Sequence, residues 1–392
     1  MNWVLTFKSY KKDGEKVKMN KLAIYPFNLE FSPVLRHRKL LERFFIHRLL
    51  SPKGWGYCDK DAGICDGGGE IGITVGGDFD SAIDECDSVM FIDSNFRIDF
   101  EKNVFTKILK AVNSHKNIEI AAKLDIKARD RIVELCRHKG VDFTDYCQKE
   151  EDTFAINKDG IYPETLHKIH VPVVFIMGVS ERTNKFEVQL SLREHLTDMG
   201  YKVSQVGTKP YCELLSSHSF PGFMTGSFIP ETQKIVFFNR YVKSIEENEK
   251  PDVIIIGIPG GIMAFNDELT NRFGILAYEV SQAVTPDFAI LSILNGNYEQ
   301  DFFSSIFNNV KYRFGFEIDC YSLANVQIDP AGTLLNKALK FMTLDEGSVK
   351  TAKRRYQEME VPVYDILDPK DSDKMVNHLV NSLSGYVNSQ IV

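Results

Sequence analysis

Short, continuous apolar runs alternate with segments of 3.6-residue periodicity along most of the chain, and turn residues fall between them. Leu22–Phe27 reads as a strand, followed by a helix over Pro33–Phe44 with Ser32 as its cap. Further strands are expected at Ile46–Leu50, Ile71–Val75, Ser88–Asp93 and Ile118–Ala122, and helices at Phe100–Ser114 and Asp125–Lys139, the latter closed by Gly140. The second half restarts with Val171–Met177, a loop over Gly178–Thr183, a helix over Lys185–Met199 and a strand over Tyr201–Val206. A helix over Pro230–Asn248 precedes Val253–Ile258, the most apolar strand of the chain. Phe288–Leu294, Phe314–Leu323 and Pro362–Ile366 read as strands, and Asp371–Tyr386 as a closing helix.

Strands that alternate with helices specify parallel sheets covered on both faces. The expected fold is therefore α/β, with two doubly wound parallel-sheet domains. One is a Rossmann-like N-terminal unit over residues 19–150; the other is a variant P-loop NTPase-like unit over 171–392. Residues 1–18 read as an N-terminal extension, and the polar stretch Gln148–His170 as the boundary.

Composition narrows the function classes. Of 392 residues, 47 are basic and 54 acidic, giving a net charge of −7, so the basic surplus of a nucleic-acid binder is missing. The longest apolar stretch, Val253–Phe265, is interrupted by Gly257, Pro259, Gly260 and Gly261, and falls short of the roughly 18 residues a membrane span requires. Seven scattered cysteines without a CxxC pair imply reduced thiols and no metal centre. A cytoplasmic protein is the expectation.

The candidate chemistry lies in the second half. Strand, loop, lysine and helix follow one another directly over Val171–Met199, the outline of a phosphate-binding loop, in which backbone N–H groups and a lysine surround phosphate oxygens. The loop runs Gly178-Val-Ser180-Glu-Arg-Thr183-Asn184-Lys185-Phe186, one residue longer than the common spacing. It resembles the longer loop of dethiobiotin synthetase-like P-loop proteins. Asn184 stands in place of the second glycine and tolerates a left-handed backbone. Phe186 stands where the hydroxyl ligand of Mg2+ is expected, which leaves Mg2+ in question and Ser180 or Thr183 as substitutes. Gly260 and Gly261, after the apolar strand, allow close approach of a ligand. ATP or GTP is the expected nucleotide. The competing reading is a structural turn with a surface lysine.

Three further residues are catalytic candidates: His218 as an acid or base, Glu213 beside it in sequence, and Asp267 past the glycine pair. Lys53 and Trp55, after the second strand, and Arg272, in Asn271-Arg-Phe-Gly274, are candidates for holding substrate.

Several phrases carry a wider resemblance: Glu30-Phe-Ser-Pro33, Ser51-Pro-Lys-Gly-Trp-Gly56, Thr183-Asn-Lys-Phe186, Tyr211-Cys-Glu213, His218-Ser-Phe-Pro221, Ile256-Gly-Ile-Pro-Gly-Gly261 and Asn271-Arg-Phe-Gly274. Through them the chain from Met19 onward resembles the clostridial peptide-maturation system proteins, a family associated with gene clusters for ribosomally made, modified peptides. The resemblance implies an accessory role in peptide maturation, with a precursor peptide or peptide-modifying enzymes as partners, and assigns no catalytic residue. A nucleotide-dependent ligase or transferase, a weak NTPase and a non-catalytic scaffold that binds peptide all fit it, as does a homodimer.

Overall fold

A computed structural model describes residues 19–94, 96, 98–147, 164–226 and 229–389. The expected extension over residues 1–18, and most of the expected boundary segment, lie outside the described residues.

The first half builds a six-stranded, wholly parallel sheet from β1 (Asn20–Tyr25), β2 (Phe44–Leu50), β3 (Val75–Gly76), β4 (Ser88–Ile92), β5 (Asn117–Ala121) and β6 (Phe143–Asp145). Its order is β3-β2-β1-β4-β5-β6, so the winding reverses between β1 and β4. The helical segments are α1 (Ser32–Arg36), α2 (Ala62–Cys65), α3 (Phe79–Asp84), α4 (Thr106–Asn113) and α5 (Ile126–Lys139).

The second half builds a seven-stranded parallel sheet from β7 (Val173–Gly178), β8 (Val203–Gly207), β9 (His218–Ser219), β10 (Val253–Gly257), β11 (Phe288–Ile293), β12 (Cys320–Leu323) and, after a small antiparallel pair of β13 (Val326–Ile328) and β14 (Phe341–Thr343), β15 (Val363–Tyr364). The order is β15-β12-β11-β7-β10-β8-β9. Its helices are α6 (Lys185–Asp198), α7 (Glu231–Glu249), α8 (Ile275–Ala283), α9 (Gln300–Phe314), α10 (Pro330–Asn336), α11 (Glu346–Lys353) and α12 (Pro369–Ser389). The α/β architecture with two parallel sheets is the one expected.

Side chains alternate across each strand, and the two faces of the first sheet meet different partners. Ala23, Tyr25, Val89 and Phe91 pack under α3, α4 and α5. Leu22, Ile24, Met90 and Ile92 face the other way, onto α1 and onto Phe186, Leu190, Tyr211, Leu214 and Leu215 of the second half. Helix α6 is thus shared. Phe186 and Leu190, one turn apart, join the first sheet's core, while Val188, Leu192 and Leu196 pack on Val174, Ile176 and Ile255 of the second. Two apolar stripes on one helix bury it on both sides, as expected for a helix between layers.

Several boundaries differ from the sequence expectation. The helix expected over Pro33–Phe44 stops at Arg36, and a 3-10 turn, Arg38–Leu40, follows a break at His37, whose ring is held by carboxylates of α6. Ser32 lies inside α1, while the Asn28 side chain caps the preceding turn by accepting from the Glu30 N–H. The strand expected at Ile71–Val75 shrinks to β3, because the N–H groups of Ile71, Gly72 and Ile73 donate to the Asp61 carboxylate instead of to a neighbouring strand. The strand expected over Phe314–Leu323 begins at Cys320; Phe314 ends α9, and Gly315 turns the chain at φ 88°.

Candidate functional site

Strand β7 is buried along its whole length and delivers the chain to the carboxyl edge of the second sheet, where open α/β sheets bind ligands. The loop then folds back over Gly178. A Cβ on Gly178 would lie 2.3 Å from Thr183 Oγ1 and 3.0 Å from the Ser180 carbonyl, so only glycine fits. Asn184 takes the left-handed backbone its side chain tolerates, at φ 57° and ψ 18°, and α6 starts at the next residue. The Asn184 Nδ2 donates to Asn325 Oδ1 at 2.8 Å, and Asn325 Nδ2 donates to the Asp66 carbonyl at 2.6 Å, which ties the loop to the first half of the chain.

Lys185, the first residue of α6, is 5% exposed. Its ammonium donates to the Ser180 carbonyl at 3.2 Å and to the Gly260 carbonyl, with no carboxylate in ion-pair contact among the described residues. Burial lowers its pKa; Glu181 counteracts, while the positive charges of Lys209 and Arg272 push it down further, to about 8. Ser180 and Thr183 are fully buried: Ser180 Oγ donates to the Glu181 carbonyl at 2.8 Å, and Thr183 Oγ1 to the Ser180 carbonyl at 3.3 Å.

Opposite the loop, the end of β10 turns through Gly260 at φ +85°, with open space where its Cβ would be. A Cβ on Gly261 would collide with Asn271, whose Nδ2 donates to the Val179 carbonyl at 2.7 Å and the Met263 carbonyl at 2.9 Å. Asn271 therefore laces the glycine turn to the loop. It also begins a left-handed run, with φ 44°, 58°, 55° and 71° at Asn271, Arg272, Phe273 and Gly274, which leaves Arg272 exposed within electrostatic reach of Lys185.

The first half supplies the facing wall. Glu30, just after β1, pairs with Lys209, after β8, and with Arg182 Nε of the loop at 3.5 Å. The Arg182 guanidinium also lies over the Phe341 ring, 5.7 Å from its centre. The Asn28 side chain donates to the Asp93 carbonyl at 2.7 Å, joining the segments after β1 and β4 where the winding reverses. The carboxyl edges of the two sheets thus meet.

The remaining sequence candidates divide. Glu213 accepts from Ser219 Oγ at 2.6 Å and from the Ser219 N–H at 3.2 Å, and its charge reaches Tyr146 and Cys147 of the first half. His218 sits on the edge strand with Nε2 2.5 Å from Glu249 Oε1, beside Tyr241; Glu249 also receives the Ser204 hydroxyl, two residues into β8. The imidazole is therefore turned toward the end of α7 and not brought to the loop. Asp267 is exposed in a turn that the Asn266 side chain holds by accepting from the N–H groups of Glu268 and Leu269, and no helix starts there. Trp55 packs on Phe96 with ring centres 4.7 Å apart, and Tyr57 shares that ring at 6.2 Å. Lys53 is exposed and runs past Gly77, with no hydrogen bond or ion pair to the loop among the described residues.

Sequence reading missed Lys209, Asn325 and the pair Arg36 and His37, which hold α6 from the other half of the chain. Lys209 had one local signal, its place just after a parallel strand. Among the described residues, no group of three or more His, Cys, Asp or Glu side chains is arranged to hold a metal ion, and no helix is long and apolar enough to cross a membrane.

No protein-family model matches the chain, and no curated protein matches it. Among solved structures, a DUF1611 family protein from Anabaena variabilis is similar with a TM-score of 0.61 at 10% identity, over 92% of this chain and 99% of that one. The two share a fold across nearly their full lengths. HypB from Helicobacter pylori, in complex with nickel, matches with a TM-score of 0.29 at 13% identity, over 55% of this chain and 89% of its own. A nucleotide-binding protein from Archaeoglobus fulgidus, in complex with ADP, matches at 0.28 and 14%, over 52% and 84%. Scores that low define no common fold.

Proposed function

We propose that this chain binds a phosphate-bearing ligand, a nucleotide such as ATP or GTP, on the loop Gly178–Lys185. The observation that carries this reading is the buried Lys185 ammonium, held by two carbonyls without an ion pair among the described residues, opposed only by the longer-range charge of Glu181, at the start of a helix and within reach of two more cations. A buried cation without a counter-charge is costly, and an anionic ligand removes that cost. The helix N-terminus adds its own partial positive charge at the same point. Residues 171–392 act in this reading as the ligand-binding unit and residues 19–150 as the unit that closes over it.

The biological setting we propose, an accessory role in maturation of a ribosomally made peptide, rests on the sequence resemblance alone. The peptide or its modifying enzyme would approach the meeting edges of the two sheets, near Glu30, Trp55 and Arg272. One observation favours a second reading, a non-catalytic peptide-binding scaffold: Phe186, at the position of the hydroxyl ligand, is committed to the core between the sheets. Calorimetric titration of ATP and GTP into the wild type and Lys185→Ala separates the two. Binding that Lys185→Ala abolishes supports the nucleotide site; no binding by the folded wild type leaves the scaffold.

A further inference from the structure

The fold outline of a phosphate-binding loop implies a Mg2+ ion beside the phosphates, held by the hydroxyl that follows the lysine. The residues present do not fit that ion. Phe186 occupies the position, is 4% exposed, and points into the shared core with its ring 6.0 Å from that of Tyr211. No rotation brings a hard-cation ligand there, and a phenyl ring offers no oxygen. The two hydroxyls nearest in sequence, Ser180 and Thr183, are fully buried and turned onto the loop's own Glu181 and Ser180 carbonyls, and neither stands at the position after the lysine. Asp267, the acidic residue past the glycine turn, stands in an exposed turn of its own.

Positive side chains converge on the loop instead. Lys209 and Arg272 arrive from the segments after β8 and β10, the strands on the side of β7 where the glycine turn lies, and both act on Lys185. Lys209 is partly neutralised by Glu30, and Glu181 stands in the loop itself; Arg272 makes no ion pair among the described residues. Like charges repel one another, and the left-handed run at Asn271–Gly274, laced by Asn271, holds the backbone of Arg272 beside the loop. A phosphate bound at the loop relieves that repulsion, and a divalent cation there adds to it.

We infer that the loop takes its phosphate group without a divalent metal, with Lys185, Lys209 and Arg272 supplying the neutralising charge. This rests on the proposed phosphate site and deepens it. The ligand class that follows is a nucleotide bound through its phosphates as a carrier or anchor, since phosphoryl transfer draws on metal neutralisation of developing charge.

The test is titration of ADP and of pyrophosphate into the full chain, once in excess EDTA and once in Mg2+, with Arg272→Ala and Arg272→Lys alongside. Affinities in EDTA within about threefold of those in Mg2+, weakened about tenfold by Arg272→Ala and partly restored by Arg272→Lys, are the expected result. A gain of tenfold or more on adding Mg2+ to the wild type overturns the inference and leaves the phosphate site standing. Arg272→Ala binding as tightly as wild type in EDTA overturns the neutralisation scheme. Absence of binding in both media removes the phosphate site itself, and this inference with it. Circular dichroism of each variant verifies that it is folded.

Discussion

His37 Nε2 lies 2.9 Å from Glu187 Oε1, joining two residues 150 positions apart, one at the end of α1 and the other two residues past the loop lysine. The other ring nitrogen, Nδ1, lies 2.5 Å from Glu194 Oε2, and Arg36 adds Asp66 and Glu187, the latter at 3.6 Å. Around the start of α6 a closed circuit results. It runs from Asn184 through Asn325 to Asp66, then through Arg36 to Glu187 and back along the helix. The first half of the chain therefore fixes the helix that follows the Gly178–Asn184 loop. Replacing His37 by Leu leaves Glu187 buried with half its partners, and such losses cost about 3–5 kcal/mol. We expect a urea midpoint well below wild type, and an unchanged midpoint refutes the clamp.

The same pair sets a pH dependence. Burial works against the charged imidazole, but Glu187 and Glu194 outweigh it and hold the His37 pKa at about 9, against 6.5 when unfolded. A raised pKa contributes stability that is complete below about 6.5 and is lost as the pH rises through about 9. The loss approaches roughly 3 kcal/mol. Denaturation midpoints measured at pH 6.5, 8 and 9.5 should fall in that order. His37→Leu should flatten that trend; a parallel fall in the variant assigns the effect to other groups.

Asn184 gives a backbone test. At φ 57° it occupies a region that glycine enters freely and β-branched residues enter at a cost of about 1–2 kcal/mol. Asn184→Val should therefore destabilise the protein by about 2 kcal/mol and weaken nucleotide binding, whereas Asn184→Gly should lose only the Asn325 hydrogen bond, about 1 kcal/mol. Thermal unfolding of the two variants ranks them; a Val variant as stable as the Gly variant removes the conformational argument.

The elements that read well from sequence are those whose causes are local. Asp125 and Gly140 bracket α5 as expected, and Asn184 turns left-handed where a glycine is usual. What did not read was decided at long range. Phe186 looks like a lost ligand until the first sheet's core is laid over it. His218 looks catalytic beside Glu213, yet its partner is Glu249, 31 residues on at the end of a helix. Ile71–Val75 has the composition of a strand, but Asp61 takes its N–H groups first. Arg36, His37 and Glu187 carry no motif, because their meaning exists only where the two halves touch.

The last prediction concerns the loop lysine. With its pKa lowered to about 8 by burial and by Lys209 and Arg272 against Glu181, Lys185 is mostly charged at pH 7 and about one-tenth charged at pH 9. An anion binds the charged form, so affinity should change by no more than about twofold from pH 7 to pH 8 and fall about fifteenfold between pH 8 and pH 9.5. Binding at pH 8 should also take up a proton, visible as a calorimetric enthalpy that changes with the ionisation heat of the buffer. Lys185→Arg keeps its charge over the whole range and should flatten the profile while retaining binding. A wild-type affinity independent of pH from 7 to 9.5 would show that the lysine does not meet the ligand.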